Sequence, residues 1–200
     1  ISIGTELTSG KNLDTNSQWL SVELAKIGIP VHFHTTVGDN LAENITVLRA
    51  AVERCDLVVI TGGLGPTQDD LTREAMAGVA GVGLEFHQPS FDAIQAMFAR
   101  RTRAMPDRNR VQALFPTASE PIQNDHGTAP GIWMWVRKTA VGDRVLGSQE
   151  SFGTQRPPIT DHPITDHSAL LVAMPGVPSE MVQMFLEQVR PRLVQIFGLR

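Results

Sequence analysis

Two stretches of the chain, residues 14–28 and 41–55, place apolar side chains three and four positions apart, which predicts amphipathic helices. The first stretch offers Asp14 as N-cap and Gly28 just past the helix end. The expected buried stripes are Leu20, Leu24 and Ile27 in the first helix, and Leu41, Ile45, Leu48 and Val52 in the second.

Three further helices are expected. One begins at about Asp69. Another covers residues 89–101, with Pro89 at its start and an apolar stripe of Phe91, Ile94 and Phe98. The last covers residues 178–189 with Ser179 as N-cap, and Pro191 should kink or restart it because proline lacks the amide hydrogen.

Short apolar or β-branched runs between these helices predict strands at residues 1–3, 31–37, 56–60, 131–136 and 169–176. The run at 56–60 is apolar throughout, as expected for a central strand covered on both faces. The order strand–helix–strand–helix–strand–helix favours right-handed crossovers and a mostly parallel sheet, so the fold class is α/β.

Composition narrows the class of protein. The 200 residues fit one domain, 1–200, with a surface insertion at about 137–168 that contains a tandem "PITDH". A net charge of −4 disfavours a nucleic-acid partner, and no stretch is apolar enough to cross a membrane. Cys55 is the only cysteine, so a reducing, cytoplasmic location is expected. The chain starts without Met inside a predicted strand, so we expect its natural N-terminus upstream.

The loops after the first three predicted strands each combine glycine with carboxylates, contributed by Glu6, by Asp39, and by Asp69 with Asp70. Ligands of parallel sheets bind at the carboxyl ends of strands, where glycine lets backbone amides approach a phosphate. Carboxylates beside an anion fit if a divalent cation lies between them. The alternative is that Asp69 and Asp70 only stabilise the dipole of a helix start.

Other motifs are less specific. "GTELTSGK" has the wrong glycine spacing for a P-loop, and "GGLGPTQ" is not a dinucleotide fingerprint. His32 and His34 share a strand face, but sheet packing or exposure explains them better than metal binding. The basic cluster at residues 100–110 is either a phosphate clamp, with Arg110 the favoured member, or a solvated helix end.

Seven motifs in order, "GTELTSG", "DTNS", "VGDN", "TGGLGPTQDDLTRE", "NRVQAL", "GTAPG" and "MPGVPSEM", resemble the N-terminal domain of the CinA (competence/damage-inducible) proteins, within the molybdopterin-binding superfamily of MoaB and MogA. The resemblance implies a three-layer α/β/α fold and a phosphate-bearing small-molecule ligand. It also implies metal-dependent hydrolysis of ADP-ribose to AMP and ribose 5-phosphate. Leu64, Pro66, Asp69 and Arg73 follow CinA and depart from the pattern of the molybdenum-cofactor enzymes.

The leading hypothesis is therefore a nucleotide pyrophosphatase that uses Mg²⁺, Mn²⁺ or Co²⁺. Asp39, Asp70 and Arg110 are the expected catalytic residues, and Glu6, Asp39 and Asp70 the expected metal ligands. Ligand contacts are expected from Gly4, Thr5, Asn16, Ser17, Thr61, Gly62, Gly63, Gly65, Thr67, Gly176 and Ser179.

Two alternatives remain at this stage: a module that binds a pterin or nucleotide phosphate without hydrolysis, and a regulatory or oligomerisation partner with an idle site. We expect a homo-oligomer. The CinA C-terminal deamidase domain is absent from this chain, so deamidase activity is not expected.

Overall fold

The computed structural model describes residues 1–138 and 167–197. Its strands are β1 (Ser2–Ile3), β2 (Thr36–Val37), β3 (Leu57–Thr61), β4 (Leu84–Phe86), β5 (Leu114–Pro116), β6 (Glu120–Ile122), β7 (Gly131–Arg137) and β8 (Ser168–Met174). Its α-helices are α1 (Thr5–Thr8), α2 (Thr15–Lys26), α3 (Leu41–Arg54), α4 (Thr72–Ala80), α5 (Gln88–Arg100), α6 (Pro178–Met184) and α7 (Arg190–Phe197). A 3-10 helix spans Asp107–Ala113, and a π-helical turn, Phe185–Val189, joins α6 to α7.

Within the described residues, six strands form one sheet in the order β2-β1-β3-β8-β7-β6. The first four run parallel to one another, while β7 runs antiparallel to β8 and β6 antiparallel to β7. β4 and β5 pair separately as a small antiparallel ribbon. The expected mostly parallel sheet is therefore confirmed.

Both faces of this sheet are covered, and β8 shows the division residue by residue. Ala169, Leu171 and Ala173 face one apolar cluster, which α3 and α4 cover. Leu170, Val172 and Met174 face the other, which α2 and the α6–α7 helix cover. Side chains alternate because successive residues of a strand point to opposite faces. The three-layer α/β/α architecture is confirmed.

Helix starts agree with the sequence in part. Asp14 caps α2, since its carboxylate accepts from the Ser17 amide. In α3 the buried face is rotated from the predicted stripe: Asn44 is fully buried and Leu41 is 38% exposed. The face of α3 that packs on the sheet carries Asn44, Leu48 and Val52. The prediction of Leu41 as a core residue was therefore wrong.

Only Thr36 and Val37 of the predicted strand 31–37 form a strand. β1 pairs with β2 over two residues, and residues 30–34 are exposed. The β-branched and aromatic composition of this stretch indicated a strand, but strand formation also needs a neighbouring backbone to bond.

Two helix starts were also predicted wrongly. α4 begins at Thr72, so Asp69 and Asp70 lie in the loop before it. α6 has Val177 as its N-cap residue and Pro178 in its first turn, in place of Ser179 as the cap. The π-helical turn lies directly before Arg190 and Pro191, as expected where proline cannot donate a helical hydrogen bond.

The proposed insertion, including both "PITDH" copies, falls largely on residues 139–166, outside the described residues. At its two ends the Lys138 amide donates to the His167 carbonyl at 2.9 Å. Among the described residues, none of the helices is long and apolar enough to span a membrane.

Candidate functional site

The carboxyl ends of the four parallel strands lie at one edge of the sheet, as the sequence predicted. We call residues 4–17, 38–40, 62–71 and 175–180 the strand-end rim. Its backbones approach closely, since a Cβ on Gly62 would overlap the carbonyl oxygen of Ile3, and one on Gly176 would lie 3.2 Å from Gly62 Cα. Only glycine permits this approach of three strand ends.

Thr5 and Asp39 join the loops after β1 and β2. The Thr5 amide donates to Asp39 Oδ2 at 2.9 Å, and the Asp39 amide donates to Thr5 Oγ1 at 3.2 Å. The Glu6 carboxylate folds back over Gly4 of the same loop, since a Cβ on Gly4 would be 2.5 Å from its Oε1. The fold therefore brings the Glu6 and Asp39 loops together, as predicted.

The glycine turn, residues 62–70, follows β3. Gly62 has φ of 97° and Gly63 has φ of 65°, backbone conformations that other residues seldom adopt. Thr72 fixes the start of the turn, with Oγ1 donating to the Gly62 carbonyl at 2.8 Å and its amide to the Gly63 carbonyl at 3.1 Å. Hydrogen bonds within the protein thus hold the shape of the turn.

Asp70 belongs to the interior of this turn. Its Oδ1 accepts from the Gly65 amide at 2.8 Å, and its Oδ2 accepts from the Thr67 amide at 2.8 Å and from Thr67 Oγ1. From the sequence we expected the Gly65 amide and Thr67 to bind a phosphate and Asp70 to bind a metal. In the structure the Gly65 and Thr67 groups donate to the Asp70 carboxylate instead. Asp70 therefore occupies the place at these amides that we expected for a bound anion.

The carbonyl side of the turn faces buried polar side chains that we did not expect from the sequence to belong to the site. Arg73 donates through Nη1 to the Gly65 carbonyl at 3.2 Å and through Nη2 to the Leu64 carbonyl. Gln112 Nε2 also donates to the Leu64 carbonyl, at 3.4 Å. Burial lowers the pKa of the Arg73 guanidinium to about 10. Their positions within "DDLTRE" and "NRVQAL" were the only sequence signal.

Asn16 and Ser17 lie at the start of α2 but have different partners. Asn16 Nδ2 donates to the Gly176 carbonyl at 2.8 Å, which ties α2 to the loop after β8. Ser17 Oγ donates to Asp14 at 2.6 Å and lies 2.8 Å from Ser2 Oγ, which in turn is 3.4 Å from Thr61 Oγ1. Ser17 and Thr61 thus belong to a hydroxyl network that joins β1, β3 and α2.

Asp14 anchors this network. Burial raises the pKa of its carboxyl group, but hydrogen bonds from the Ser17 hydroxyl and amide and from Ser2 outweigh that effect, so the pKa lies below its usual value. The negatively charged form of Asp14 is therefore the one that the fold stabilises.

A second loop, residues 123–130, reaches the rim beside α6, and Asn124 organises it. Asn124 Oδ1 accepts from the amides of His126 and Gly127, while its Nδ2 donates to Glu180 Oε2 at 2.8 Å. A Cβ on Gly127 would overlap the Glu180 carboxylate. The sequence marked this loop only as a Gly/Pro turn, and Asn124 was missed. Ser179 is exposed in the first turn of α6.

The Arg110 guanidinium packs on aromatic rings of β4 and α5, which are not part of the glycine turn. Its guanidinium lies over two rings, 4.5 Å from the centroid of Phe86 and 5.3 Å from that of Phe91. Its neighbours Asn109 and Gln112 are buried, whereas Arg110 is exposed. The aromatic surface of β4 and α5 thus holds the side chain that we expected to stabilise phosphoryl charge.

Residues 1–138 and 167–197 hold no group of three or more His, Cys, Asp or Glu side chains arranged for a metal ion. Glu6 and Asp39 belong to the two loops that the Thr5–Asp39 hydrogen bonds join, and Asp70 is engaged in its own turn. One or two carboxylates are nevertheless a usual protein contribution to a magnesium site completed by phosphate oxygens and water.

Two cavities in the described part of the chain lie away from the glycine turn. The larger, about 500 Å³, runs between extended residues 29–35 and Leu57–Val59, with α2 on one side and α3 on the other. The smaller, about 220 Å³, lies between α5 and loop 123–130. Of the rim residues, Ser17 borders the larger of these two cavities.

Comparison with known proteins agrees with this architecture. A family described as a probable molybdopterin binding domain matches residues 1–195. A CinA-like protein of Dictyoglomus thermophilum is 40% identical over 194 residues, which is 97% of this chain and 40% of that protein. The chain spans about two fifths of the length of the curated relatives it matches.

Solved structures extend the comparison. The protein CinA of unknown function from Thermoplasma acidophilum has a TM-score of 0.72 at 27% identity, with 95% of this chain and 94% of that chain covered. The molybdopterin biosynthesis enzyme MoaB of Thermus thermophilus has a TM-score of 0.53 at 16% identity, with 98% and 93% covered, a likeness of fold alone. The chain therefore belongs to the probable molybdopterin binding domain family, and within it to the domain that the CinA-like proteins carry.

Proposed function

We propose that the strand-end rim binds the diphosphate of a nucleotide-like ligand and, with a divalent metal, catalyses its hydrolysis. In the test reaction, water cleaves the P–O–P linkage of ADP-ribose to give AMP and ribose 5-phosphate. The proposal is carried by one observation: the Thr5–Asp39 pair and the Gly62–Gly63 turn meet on adjacent strand ends at one edge of the sheet.

Residues at different places on the rim would have different roles in binding. The backbone amides of the glycine turn that Asp70 does not occupy would face the phosphate groups, as amides of glycine-rich loops before helices do elsewhere. Asn16 and Gly176, joined by a hydrogen bond, would lie beside the ligand, because Gly176 approaches Gly62 of the turn. This division assigns phosphate binding to the backbone and leaves side chains for orientation.

The residues present fit a metal held mainly by the ligand. Glu6 and Asp39 would hold Mg²⁺, Mn²⁺ or Co²⁺, because the Asp39 carboxylate bonds the Thr5 amide and the Glu6 carboxylate lies beside the neighbouring Gly4. A bound divalent ion would lower the pKa of a water molecule and neutralise phosphate charge. Asp70 would contribute through the shape of the turn, because both of its carboxylate oxygens accept hydrogen bonds there.

The test is release of AMP from ADP-ribose with each of the three metals in turn. We expect turnover that Asp39→Asn reduces at least tenfold and that Asp92→Asn, on the exposed side of α5, leaves unchanged. Absence of AMP above the level of the Asp39→Asn variant would refute hydrolysis.

A second candidate is a module that binds a pterin or nucleotide phosphate without hydrolysis. The engagement of both Asp70 oxygens within the glycine turn favours it, because a predicted metal ligand is then already used. A ligand-dependent rise in melting temperature without AMP release would support this candidate. No thermal response to ADP-ribose, AMP or a pterin phosphate would indicate an idle site.

We also propose a homo-oligomer, to be tested by light scattering of the purified chain. Activities of the longer relatives that depend on their remaining three fifths would be tested on those full-length proteins.

A further inference from the structure

Arg73 is the feature that the proposed function does not yet use. Its side chain is 2% exposed, and both of its terminal nitrogens donate to main-chain carbonyls of the glycine turn. Within the described residues its Nε has no hydrogen-bond partner. A buried guanidinium with an unpaired nitrogen contributes little to the free energy of folding, because removing its charge from water is costly.

Two other buried residues support the Leu64 carbonyl, Gln112 by a direct hydrogen bond and Asn109 through Gln112. Asn109 Nδ2 donates to Gln112 Oε1 at 2.8 Å, which orients the Gln112 amide so that its Nε2 reaches the Leu64 carbonyl. Asn109 is 4% exposed and Gln112 is 1% exposed. Donors from α4 and from the 3-10 helix therefore converge beneath the turn.

These contacts fix one peptide group from both ends. The carbonyl of Leu64 accepts from Arg73 and Gln112, while the amide of Gly65, on the other end of the same planar peptide, donates to Asp70. The next carbonyl, that of Gly65, also accepts from Arg73. Rotation of this peptide would break hydrogen bonds on both sides of the turn.

We propose that Arg73, supported by Gln112, is a positioning residue for phosphate binding. It holds the carbonyls of the glycine turn inward and places a positive charge beneath the ligand. The proposal rests on the proposed function in assuming that the turn faces a phosphate. It predicts that Arg73 contributes to affinity for anionic ligands more than to stability.

The experiment compares Arg73→Met with the wild-type chain by calorimetric titration of ADP-ribose and of inorganic pyrophosphate, each with Mg²⁺, and by thermal unfolding. We expect the Kd for both probes to rise at least tenfold while the melting temperature stays within a few degrees, since methionine fills the space without a buried charge. Arg49→Met, at an exposed position of α3, is the matched control and should change neither quantity.

Wild-type affinity in Arg73→Met, or a loss of affinity matched by a large fall in melting temperature, would overturn the proposal. If Arg73→Met does not fold, Arg73→Lys decides. A lysine keeps the charge but cannot bridge two carbonyls as a guanidinium does, so its Kd should rise severalfold. An unchanged Kd for Arg73→Lys would count against positioning.

Hydrogen exchange separates this inference from the proposed function. If the wild-type chain binds neither probe, the proposed function fails, but the turn can still be examined. Loss of the Arg73 contacts should then speed exchange of the Gly65 and Thr67 amides about tenfold without affecting β8. Unchanged exchange at both amides in Arg73→Met or Arg73→Lys would refute the positioning role.

Discussion

At the scale of single residues, the sequence allows two roles for Asp70, and the fold shows which interactions its side chain makes. An aspartate after a glycine turn suggests either a metal ligand or a helix-start charge. In the structure α4 starts two residues later, and the carboxylate folds back to accept three hydrogen bonds from the turn.

Replacing Asp70 with alanine should therefore destabilise the protein by about 1–3 kcal/mol, because the amides of the turn lose a charged acceptor. Asp69→Ala, at the neighbouring exposed position, should cost less than about 0.5 kcal/mol. Urea unfolding of both variants measures the difference. Equal stability would mean that the turn does not depend on Asp70.

Asn44 is a second residue with an unexpected position. It is fully buried on the core side of α3, and neither its Nδ2 nor its Oδ1 has a partner among the described residues. Buried polar groups without hydrogen bonds are costly.

Asn44→Leu should raise the free energy of unfolding by about 1–3 kcal/mol, because it replaces two unsatisfied polar atoms with apolar ones of similar volume. Arg49→Leu, exposed on the same helix, is the control and should have little effect. A lower stability for Asn44→Leu would indicate that the amide has a partner, such as an ordered water.

At the scale of elements, α2 is defined by its N-cap. The Asp14 carboxylate accepts from Ser17 through both oxygens, and the pKa of this group is lowered. Because the folded-state pKa lies below the unfolded one, the stabilisation is present above the unfolded pKa, about 4, and is lost as pH falls through the folded pKa.

Asp14→Ala should cost about 1 kcal/mol at pH 7, as loss of an N-cap usually does. The difference from wild type should shrink below about pH 4 as the wild-type carboxylate is protonated. Urea unfolding at pH 7 and pH 3 measures it, with Gln18→Ala on the exposed face of α2 as control. An equal difference at both pH values would contradict a charged cap.

At the scale of the whole molecule, the site depends on strand ends that are distant in sequence. Asn16 and Gly176 bond across 160 positions, and the backbones of β1, β3 and the loop after β8 approach within contact at Gly62. Any side chain at Gly62 would push β1 away from β3.

Gly62→Ala should therefore destabilise the protein by more than about 3 kcal/mol, because the added Cβ overlaps the Ile3 carbonyl and φ is 97°. Gly83→Ala is the matched control, since a Cβ there meets nothing within 4 Å, and it should be neutral or slightly stabilising. Thermal unfolding distinguishes them. Similar melting temperatures would refute the close approach.

Much of the architecture could be predicted because local patterns carry it. The spacing of apolar residues, the helix-capping residues and the apolar runs located α2, α3, α5, β3, β7 and β8. The alternation of strands and helices predicted the parallel sheet. The stretch 31–37 failed because a strand requires a bonding neighbour, which local composition does not specify. β4, β5 and β6 were missed because three-residue strands have no readable period.

The amino-acid sequence by itself determined where the glycines, carboxylates and helix caps stand, and hence that strand ends carry the polar chemistry. Only the tertiary structure decided which of those groups bond to the protein itself: Asp70 to the glycine turn, Arg110 to an aromatic surface, and Arg73 to carbonyls beneath the turn. The reason is that hydrogen-bond partners separated by many residues are chosen by the packing of whole elements. A sequence shows the donors and acceptors, but the fold brings each pair within reach.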